Sequence, residues 1–234
     1  MYKSHTVRLP LADTELDVVF HTPSQPRAWV VCLHGLESDK DGRKYFMLAD
    51  RITPHGIGVV RFDFRGCGKS GGRFEETNVG TRVADARAVL EATHKQAGGK
   101  RLGLFGSSMG GFVALFLSTD PGVEATVTLA APANLDDLVD GDQQQASHLA
   151  AFVAEHRAGE YRKLPPAIPN LLLMHGSNDE VVPPAHARII GQHQVDPAGY
   201  RMFPGGDHRF SDPDQLDEAM QDAVDWFTAR LLRE

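Results

Sequence analysis

The sequence has few of the features that mark secreted mini-proteins or membrane proteins. It holds only two cysteines in 234 residues, too few for the disulfide framework of a small secreted domain. No apolar run approaches the roughly 20 residues that span a bilayer, and the opening segment MYKSHTVRLP lacks the apolar stretch of a signal peptide. We therefore expect a cytoplasmic chain with reduced thiols that is neither exported nor inserted in a membrane.

An excess of positive charge is also absent. The formal net charge is -7, and acidic and basic residues are mixed along the whole chain. Such a chain offers no continuous basic surface to nucleic acid or to anionic lipid. We expect no nucleic-acid partner, and the length fits one globular core spanning residues 1–234. The oligomeric state cannot be read from the sequence.

Motifs for cofactors and metals are incomplete or misplaced. Gly66, Gly68 and Gly71 spell G-x-G-x-x-G, but they follow an inner apolar run, whereas a dinucleotide site uses the first strand and an acidic residue about 20 positions later. A P-loop would need glycine where Asp63 stands. Neither H-E-x-x-H nor paired cysteines occur. The sequence therefore predicts no cofactor and no metal.

Short apolar runs alternate with longer amphipathic segments, which is typical of a mainly parallel sheet with helices on both faces. The apolar runs lie at residues 29–33, 59–64, 101–105, 125–129, 171–175 and 200–203. Two further runs, 5–9 and 15–21, flank a polar turn that suits an antiparallel hairpin. The pattern predicts about eight strands, and apolar spacing predicts helices after residues 79, 109 and 216.

One segment, 134–166, breaks this alternation because it is longer than an ordinary loop. Leu149, Phe152, Val153 and His156 can share one face of a short helix within it. Two interpretations stay open: a lid inserted over a pocket, or a packed surface helix with no gating role.

The strongest chemical motif is Gly106-Ser107-Ser108-Met109-Gly110, a G-x-S-x-G sequence between a predicted strand and a predicted helix. A nucleophile elbow requires a sharp turn there, with glycines two positions before and after the serine to avoid collisions. The turn would expose the Ser108 hydroxyl at the carboxyl edge of the sheet and leave the Met109 N–H at a helix N-terminus, where negative charge is stabilised.

A serine nucleophile needs a base and a group that orients the base. Of eleven histidines, His208 stands on a glycine-rich loop after the last predicted strand, at the same edge as Ser108. Asp179 follows the 171–175 run at that edge, and we prefer it to Asp207 and Glu180 as the orienting acid. The order of nucleophile, acid and base is the one that α/β-hydrolases use.

With these residues in place, the chain resembles the α/β-hydrolase family over nearly its whole length. His34-Gly35-Leu36-Glu37 is similar to the family's HG motif, Asp63 to Ser70 to its D-x-R-G-x-G-x-S turn, and His175 to Pro183 to its acid loop. The resemblance implies that the Leu36 N–H is a second oxyanion donor. It also implies that Asp63, Arg65, His34 and His175 are scaffold residues.

The sequence thus predicts an α/β-hydrolase fold and a serine hydrolase that cleaves a small carboxylic ester through an acyl-enzyme intermediate. The modest length resembles small bacterial carboxylesterases, including the cinnamoyl or feruloyl esterase-like and the serine aminopeptidase-like groups. Peptide or thioester cleavage by the same residues stays open. A catalytically silent binding module is the alternative of another class, since fold does not dictate activity.

Overall fold

Alternating strands and helices make up residues 2–140 and 147–233, the part of the chain that the computed structural model describes. The strands are β1 (Tyr2–Pro10), β2 (Glu15–Pro23), β3 (Ala28–Leu33), β4 (Ile57–Phe62), β5 (Leu102–Ser107), β6 (Val123–Leu129), β7 (Ile168–Pro169), β8 (Leu171–Gly176), β9 (Gln194–Val195) and β10 (Gly199–Phe203). The helices are α1 (Arg43–Ile52), α2 (Val79–Ala97), α3 (Met109–Leu117), α4 (Asp136–Asp140), α5 (Ala150–Arg157), α6 (Ala185–Gly191) and α7 (Pro213–Leu231).

Eight of the strands form one sheet in the order β1-β2-β4-β3-β5-β6-β8-β10. The pairs β1/β2 and β2/β4 are antiparallel, and the remaining neighbours are parallel. The short strands β7 and β9 pair separately. The predicted fold class, a mostly parallel sheet of about eight strands that opens with an antiparallel hairpin, is confirmed.

The central strands are apolar runs because both faces of the sheet are covered. Every residue of β3, β4, β5 and β8 is buried. One face packs against α2 and α3, and the other against α1 and α7. Since parallel strands buried on both faces cannot alternate with polar residues, the continuous apolar runs in the sequence locate them well.

Several strand ends differ from the sequence prediction, and two of them bear on the site. β4 ends at Phe62 rather than at residue 64, because the Asp63 carboxylate accepts hydrogen bonds from the Lys40 and Lys69 backbone N–H groups, at 2.8 Å each, and turns the chain out of the sheet. β5 continues to Ser107 and therefore enters the Ser108 turn without an intervening loop. Cys32 and Cys67 are both free and buried.

The 134–166 segment contributes α4 and α5, while its residues 141–146 lie outside the described residues. In α5, Phe152 is fully buried, and the Glu155 carboxylate accepts N–H bonds from Val79 and Gly80 at 2.7 and 2.8 Å. This part of the segment is packed onto the start of α2. Across residues 2–140 and 147–233, none of the helices combines the length and apolarity needed to cross a membrane.

Candidate active site

Ser108 occupies a strained turn between β5 and α3. Its backbone has φ 55° and ψ -123°, a positive-φ conformation that costs a residue with a side chain on the order of 1–3 kcal/mol. The turn is fixed by the Ser108 N–H, which donates to the Leu129 carbonyl at 2.9 Å, and by the Phe112 N–H, which donates to the Ser108 carbonyl at 3.0 Å. The backbone at Ser108 therefore makes a sharp strand-to-helix turn.

The flanking glycines allow three pieces of backbone to meet at this turn. A Cβ on Gly106 would lie 2.4 Å from the Gly110 carbonyl oxygen, and a Cβ on Gly110 would lie 2.1 Å from the Leu33 carbonyl oxygen. Carbon and oxygen atoms that are not bonded to each other cannot approach so closely, so only glycine fits at either position.

His208 lies within hydrogen-bonding distance of Ser108, although a hundred residues separate them in the chain. Its Nε2 is 3.0 Å from the Ser108 Oγ, and its Nδ1 is 2.8 Å from the Asp179 Oδ2. An ionised carboxylate can only accept, so the Nδ1 carries the proton and the Nε2 is left as the acceptor for the Ser108 hydroxyl. The ring is held in the tautomer that a general base requires.

Asp179 is enclosed, with a side chain that is 0 % exposed. Its Oδ1 accepts the Val181 and Val182 N–H groups at 3.0 and 2.7 Å. Burial of this carboxyl favours its neutral form, but hydrogen bonds from two histidines and from a backbone amide outweigh burial and hold its pKa well below the ordinary aspartate value. Asp179 therefore stays ionised beside His208.

The two neighbouring candidates for the acid are arranged differently from Asp179. The carboxylate of Asp207 accepts the Ser211 N–H at 2.9 Å and so closes a local turn, and Glu180 is exposed. The structure brings only Asp179, of these three described carboxylates, into contact with His208.

His175 is a member of the site whose contact the sequence did not reveal. Its Nε2 donates to the Val182 carbonyl at 2.9 Å and also lies 3.3 Å from the Asp179 Oδ2. This histidine is fully buried in β8. It thus contacts the same Asp179 oxygen as His208 does, and its position four residues before Asp179, in the same motif, was the available signal.

The two expected oxyanion donors flank Ser108. Met109 is the first residue of α3, so its N–H has no carbonyl partner within the helix. A Cβ on Gly35 would lie 3.5 Å from the Ser108 Cβ and 3.9 Å from the Ser108 Oγ. The Gly35–Leu36 peptide, which carries the Leu36 N–H, is therefore directly beside the serine.

The surrounding motif residues are tied to one another. The Lys40 Nζ lies 2.7 Å from carboxylate oxygens of both Asp17 and Asp63, and the Arg65 Nε donates to the Asp85 carboxylate at 2.8 Å. These ion pairs anchor the loops that follow β3 and β4, which agrees with the scaffold role that the family resemblance implies for Asp63 and Arg65.

His34 fixes the start of the loop beside Ser108. Its Nε2 accepts the Phe64 N–H at 3.0 Å and its Nδ1 donates to the Gly35 carbonyl at 2.8 Å. Burial, reinforced by the nearby Arg82 charge, lowers the pKa of His34 to about 3. The ring is therefore neutral, with both nitrogens used to hold backbone.

Two surface cavities differ in their distance from this site. One of about 270 Å³ is lined by Glu37, Ser38, Gly66, Cys67 and Phe74 and adjoins the Leu36 loop. A larger one of about 360 Å³ lies around Leu172 and Gly199, at the amino ends of β8 and β10. Ser108 is at the carboxyl ends of the strands, where ligands bind in open α/β sheets, and the smaller cavity lies at that same edge of the sheet, after β3 and β4. Within the described ranges, no group of three His, Cys, Asp or Glu side chains could hold a metal ion.

Comparison with curated proteins finds distant relatives. Two are from Mycobacterium tuberculosis: a putative phosphoribosyl transferase, 27% identical over 95% of this chain and 47% of its own length, and an uncharacterised protein, 28% identical over 87% of this chain and 70% of its own length. The chain thus spans about half the length of the first of these relatives.

Similar solved structures share the fold over nearly the whole chain. A putative hydrolase from Agrobacterium vitis has a TM-score of 0.80 at 25% identity, covering 97% of this chain and 99% of its own. Est1E from Butyrivibrio proteoclasticus, solved with ferulic acid bound, has a TM-score of 0.79 at 16% identity, covering 97% of this chain and 100% of its own. A serine hydrolase from Xanthomonas campestris, described as lacking a lid, has a TM-score of 0.73 at 23% identity, covering 95% and 94%.

The family model for serine aminopeptidase, S33, matches residues 24–164. This range contains β3 through α5, with Ser108, Met109 and Leu36, and it amounts to more than half of the chain. Together with the sheet order and the turn at Ser108, the match shows that the chain belongs to the serine aminopeptidase, S33 family and is a hydrolase with the α/β-hydrolase fold.

Proposed function

We propose that this hydrolase cleaves small carboxylic esters through a covalent intermediate on Ser108. The observation that carries the proposal is the continuous contact from the Ser108 Oγ to the His208 Nε2 at 3.0 Å and from the His208 Nδ1 to Asp179 at 2.8 Å. A serine, a correctly oriented imidazole and an ionised acid in this arrangement perform acyl transfer.

In the first half-reaction, the Ser108 Oγ attacks the ester carbonyl carbon while its proton passes to the His208 Nε2. The Met109 and Leu36 N–H groups donate to the oxyanion of the tetrahedral intermediate. When the intermediate collapses, the bond to the alcohol oxygen breaks, and His208 returns its proton to that oxygen. An acyl group remains on Ser108.

In the second half-reaction, His208 removes a proton from water, and the hydroxide oxygen attacks the acyl carbon. When the second tetrahedral intermediate collapses, the bond from the acyl carbon to the Ser108 Oγ breaks, the carboxylic acid leaves, and His208 returns the proton to the Ser108 Oγ. Asp179 stays ionised throughout and stabilises the imidazolium that forms twice in each cycle.

Labelling with a fluorophosphonate probe tests this assignment and also separates it from a silent binding module. We expect wild type to be labelled and to hydrolyse p-nitrophenyl acetate, and Ser108→Ala to lose both, with turnover reduced by several orders of magnitude. Ser107→Ala is the matched control, because the adjacent Ser107 hydroxyl contacts Lys44 rather than His208. Full activity in Ser108→Ala would refute the proposal.

Which acyl group and which leaving group the enzyme prefers is tested separately. The family description names an aminopeptidase, and one structural neighbour holds ferulic acid. A panel of p-nitrophenyl esters of increasing length, hydroxycinnamate esters, acyl thioesters and aminoacyl anilides compares the ester, thioester and amide substrates directly. We expect the highest kcat/KM for short esters; a preference for anilides would indicate a peptidase instead.

The relatives named phosphoribosyl transferases do not change this proposal. This chain corresponds to 47% of their length, so their printed name can describe the half that has no counterpart here. The geometry at Ser108 is that of acyl transfer and offers no comparable support for phosphoribosyl transfer.

We also propose that the described part of the 134–166 segment that carries α5 covers the approach to Ser108. The His148 Nε2 contacts the Glu37 carboxylate at 3.0 Å, and Phe152 packs against Phe74 with ring centroids 6.5 Å apart. Glu37 and Phe74 both line the cavity beside Leu36. The segment therefore touches the walls of that cavity, as a lid would.

A further inference from the structure

Arg82, in the first turns of α2, is a fully buried arginine. Among the described residues no carboxylate lies within ion-pair distance of it. The nearby Asp85 carboxylate forms its ion pair with Arg65 instead, at 2.7 Å. Its Nε and Nη1 have no hydrogen-bond partner in the described part of the chain. Burying an unpaired charge is unfavourable for folding, so the guanidinium calls for an explanation other than stability.

Among the described residues, the guanidinium makes one hydrogen bond of ordinary length, and it goes to the Leu36 loop beside Ser108. The Arg82 Nη2 donates to the Leu36 carbonyl oxygen at 3.0 Å, and its only other polar contact within residues 2–140 and 147–233 is the Cys67 Sγ at 3.6 Å. Phenylalanine rings surround the rest of the group: its Cζ lies 4.8 Å from the centroid of Phe64 and 5.6 Å from that of Phe152. These rings hold the charge in place by packing and by cation–π attraction.

Arg82 contacts Leu36, the residue whose N–H must be placed accurately to donate to an oxyanion. The N–H and the carbonyl of Leu36 are attached to the same Cα, so a bond that fixes the carbonyl also restricts the direction of the N–H. His34 holds the preceding residue through the Gly35 carbonyl at 2.8 Å. The imidazole thus holds the Gly35–Leu36 peptide, which contains the Leu36 N–H, and the guanidinium holds the next peptide, Leu36–Glu37, which contains the Leu36 carbonyl.

We propose that Arg82 is a positioning residue that holds the Leu36 N–H in place for the oxyanion. The inference rests on the proposed esterase function, in which this N–H donates to the tetrahedral intermediate. Arg82 touches no reacting atom; it acts through the Leu36 carbonyl. A displaced donor weakens binding of the transition state more than binding of the ground state.

Arg82→Met tests the proposal, since methionine fills similar space without a donor or a charge. We expect kcat for p-nitrophenyl acetate to fall about 10- to 100-fold, no more than the loss of about 100- to 1000-fold seen when one oxyanion donor is removed outright, while KM changes less than about twofold. Affinity for a phenylboronic acid, which forms a tetrahedral adduct on serine, should weaken in parallel with kcat. Arg87→Met is the matched control, because Arg87 is on the same helix but pairs with Asp120 at the surface.

KM reports on the ground state, whereas kcat and boronate affinity report on the transition state. Comparing them separates a positioning role of Arg82 from a structural one. Unchanged kcat in Arg82→Met would overturn the inference, and so would a loss of kcat with unchanged boronate affinity. If Arg82→Met does not fold, Arg82→Gln, whose amide is too short to reach Leu36, is judged by the same two measurements. Failure of both variants to fold would also overturn it, because the buried charge would then be a structural requirement.

The proposed function can fail independently of this inference. If wild type is not labelled at Ser108 and hydrolyses no ester, the esterase proposal itself is wrong. If wild type is active and Ser108→Ala is inactive, but Arg82→Met equals Arg87→Met in kcat and in boronate affinity, only the role of Arg82 is refuted.

Discussion

Gly110 lies directly against the carbonyl of Leu33, so that a Cβ on this glycine would be 2.1 Å from the Leu33 oxygen. The contact joins the second glycine of the Ser108 turn to the end of β3, from which the Leu36 loop departs. The nucleophile and one proposed oxyanion donor are therefore positioned by a single close approach of backbone to backbone.

Gly110→Ala should disturb both stability and activity. Because the clashing atoms are backbone, α3 must move, and we expect a loss of about 1–3 kcal/mol in the free energy of unfolding with ester turnover at least about tenfold lower. Gly191→Ala is the control, since a Cβ there meets only the Gln194 Oε1, at 3.8 Å. Urea unfolding and p-nitrophenyl acetate hydrolysis provide the two measurements. Equal behaviour of the two variants would contradict the steric argument.

Asp179→Asn and Asp207→Asn should differ sharply in turnover. Asparagine at 179 can donate its amide NH₂ to the His208 Nδ1 and so favour the tautomer whose proton is on Nε2, which cannot act as a base toward Ser108. In a comparable site this change lowers kcat about 10⁴-fold. Asp207 supports a turn through Ser211, so its replacement should cost less than about tenfold. Steady-state kinetics of both variants decide the assignment, and the reverse ranking would move the role of the acid to Asp207.

Lowering the pH should reduce the free energy of unfolding through two buried histidines, His34 and His21. Burial, with nearby positive charge, lowers the pKa of His34 to about 3 and that of His21 to about 4. Both values lie below the ordinary histidine pKa of about 6.5, so the unfolded chain takes up these protons first. The stability that each neutral ring contributes is complete above about pH 6.5 and is lost as the pH falls toward 4 and 3.

The corresponding measurement is urea unfolding at pH 7 and at pH 5. Each histidine should contribute a loss of roughly 1 kcal/mol per pH unit in this window. The difference between the two pH values should therefore be smaller in His34→Gln than in wild type. His55→Gln, at an exposed position, should retain the wild-type difference. Identical pH dependence in all three proteins would show that His34 is not the titrating group.

Glu155 offers a test of the 134–166 segment. Glu155→Ala removes the acceptor of the Val79 and Gly80 N–H groups, and we expect a cost of about 1–3 kcal/mol and faster tryptic cleavage near Arg157. If the segment is a lid, KM for bulky esters should also change by at least about threefold while p-nitrophenyl acetate is little affected. Glu160→Ala, exposed in the same segment, is the control. Unchanged kinetics with all esters would favour the packed surface helix.

Sequence patterns located the main elements because their causes are local. Most short apolar runs bounded by turn residues are strands buried on both faces, although the run at 112–117 lies in α3. The glycines around Ser108 indicate a turn that no other residue tolerates. The ends of strands were less predictable. The 59–64 run continues past the real end of β4, since only the folded protein brings Lys40 and Lys69 to the Asp63 carboxylate.

The sequence by itself therefore determined the fold class, the turn at Ser108 and the order of serine, acid and histidine, because each apolar run and each short motif is local in the chain. The tertiary structure alone decided the contacts between distant segments, such as Glu155 on the start of α2 and Arg82 on the Leu36 carbonyl. Such contacts depend on where elements pack and on which charges become buried, and neither periodicity nor a short motif encodes that geometry.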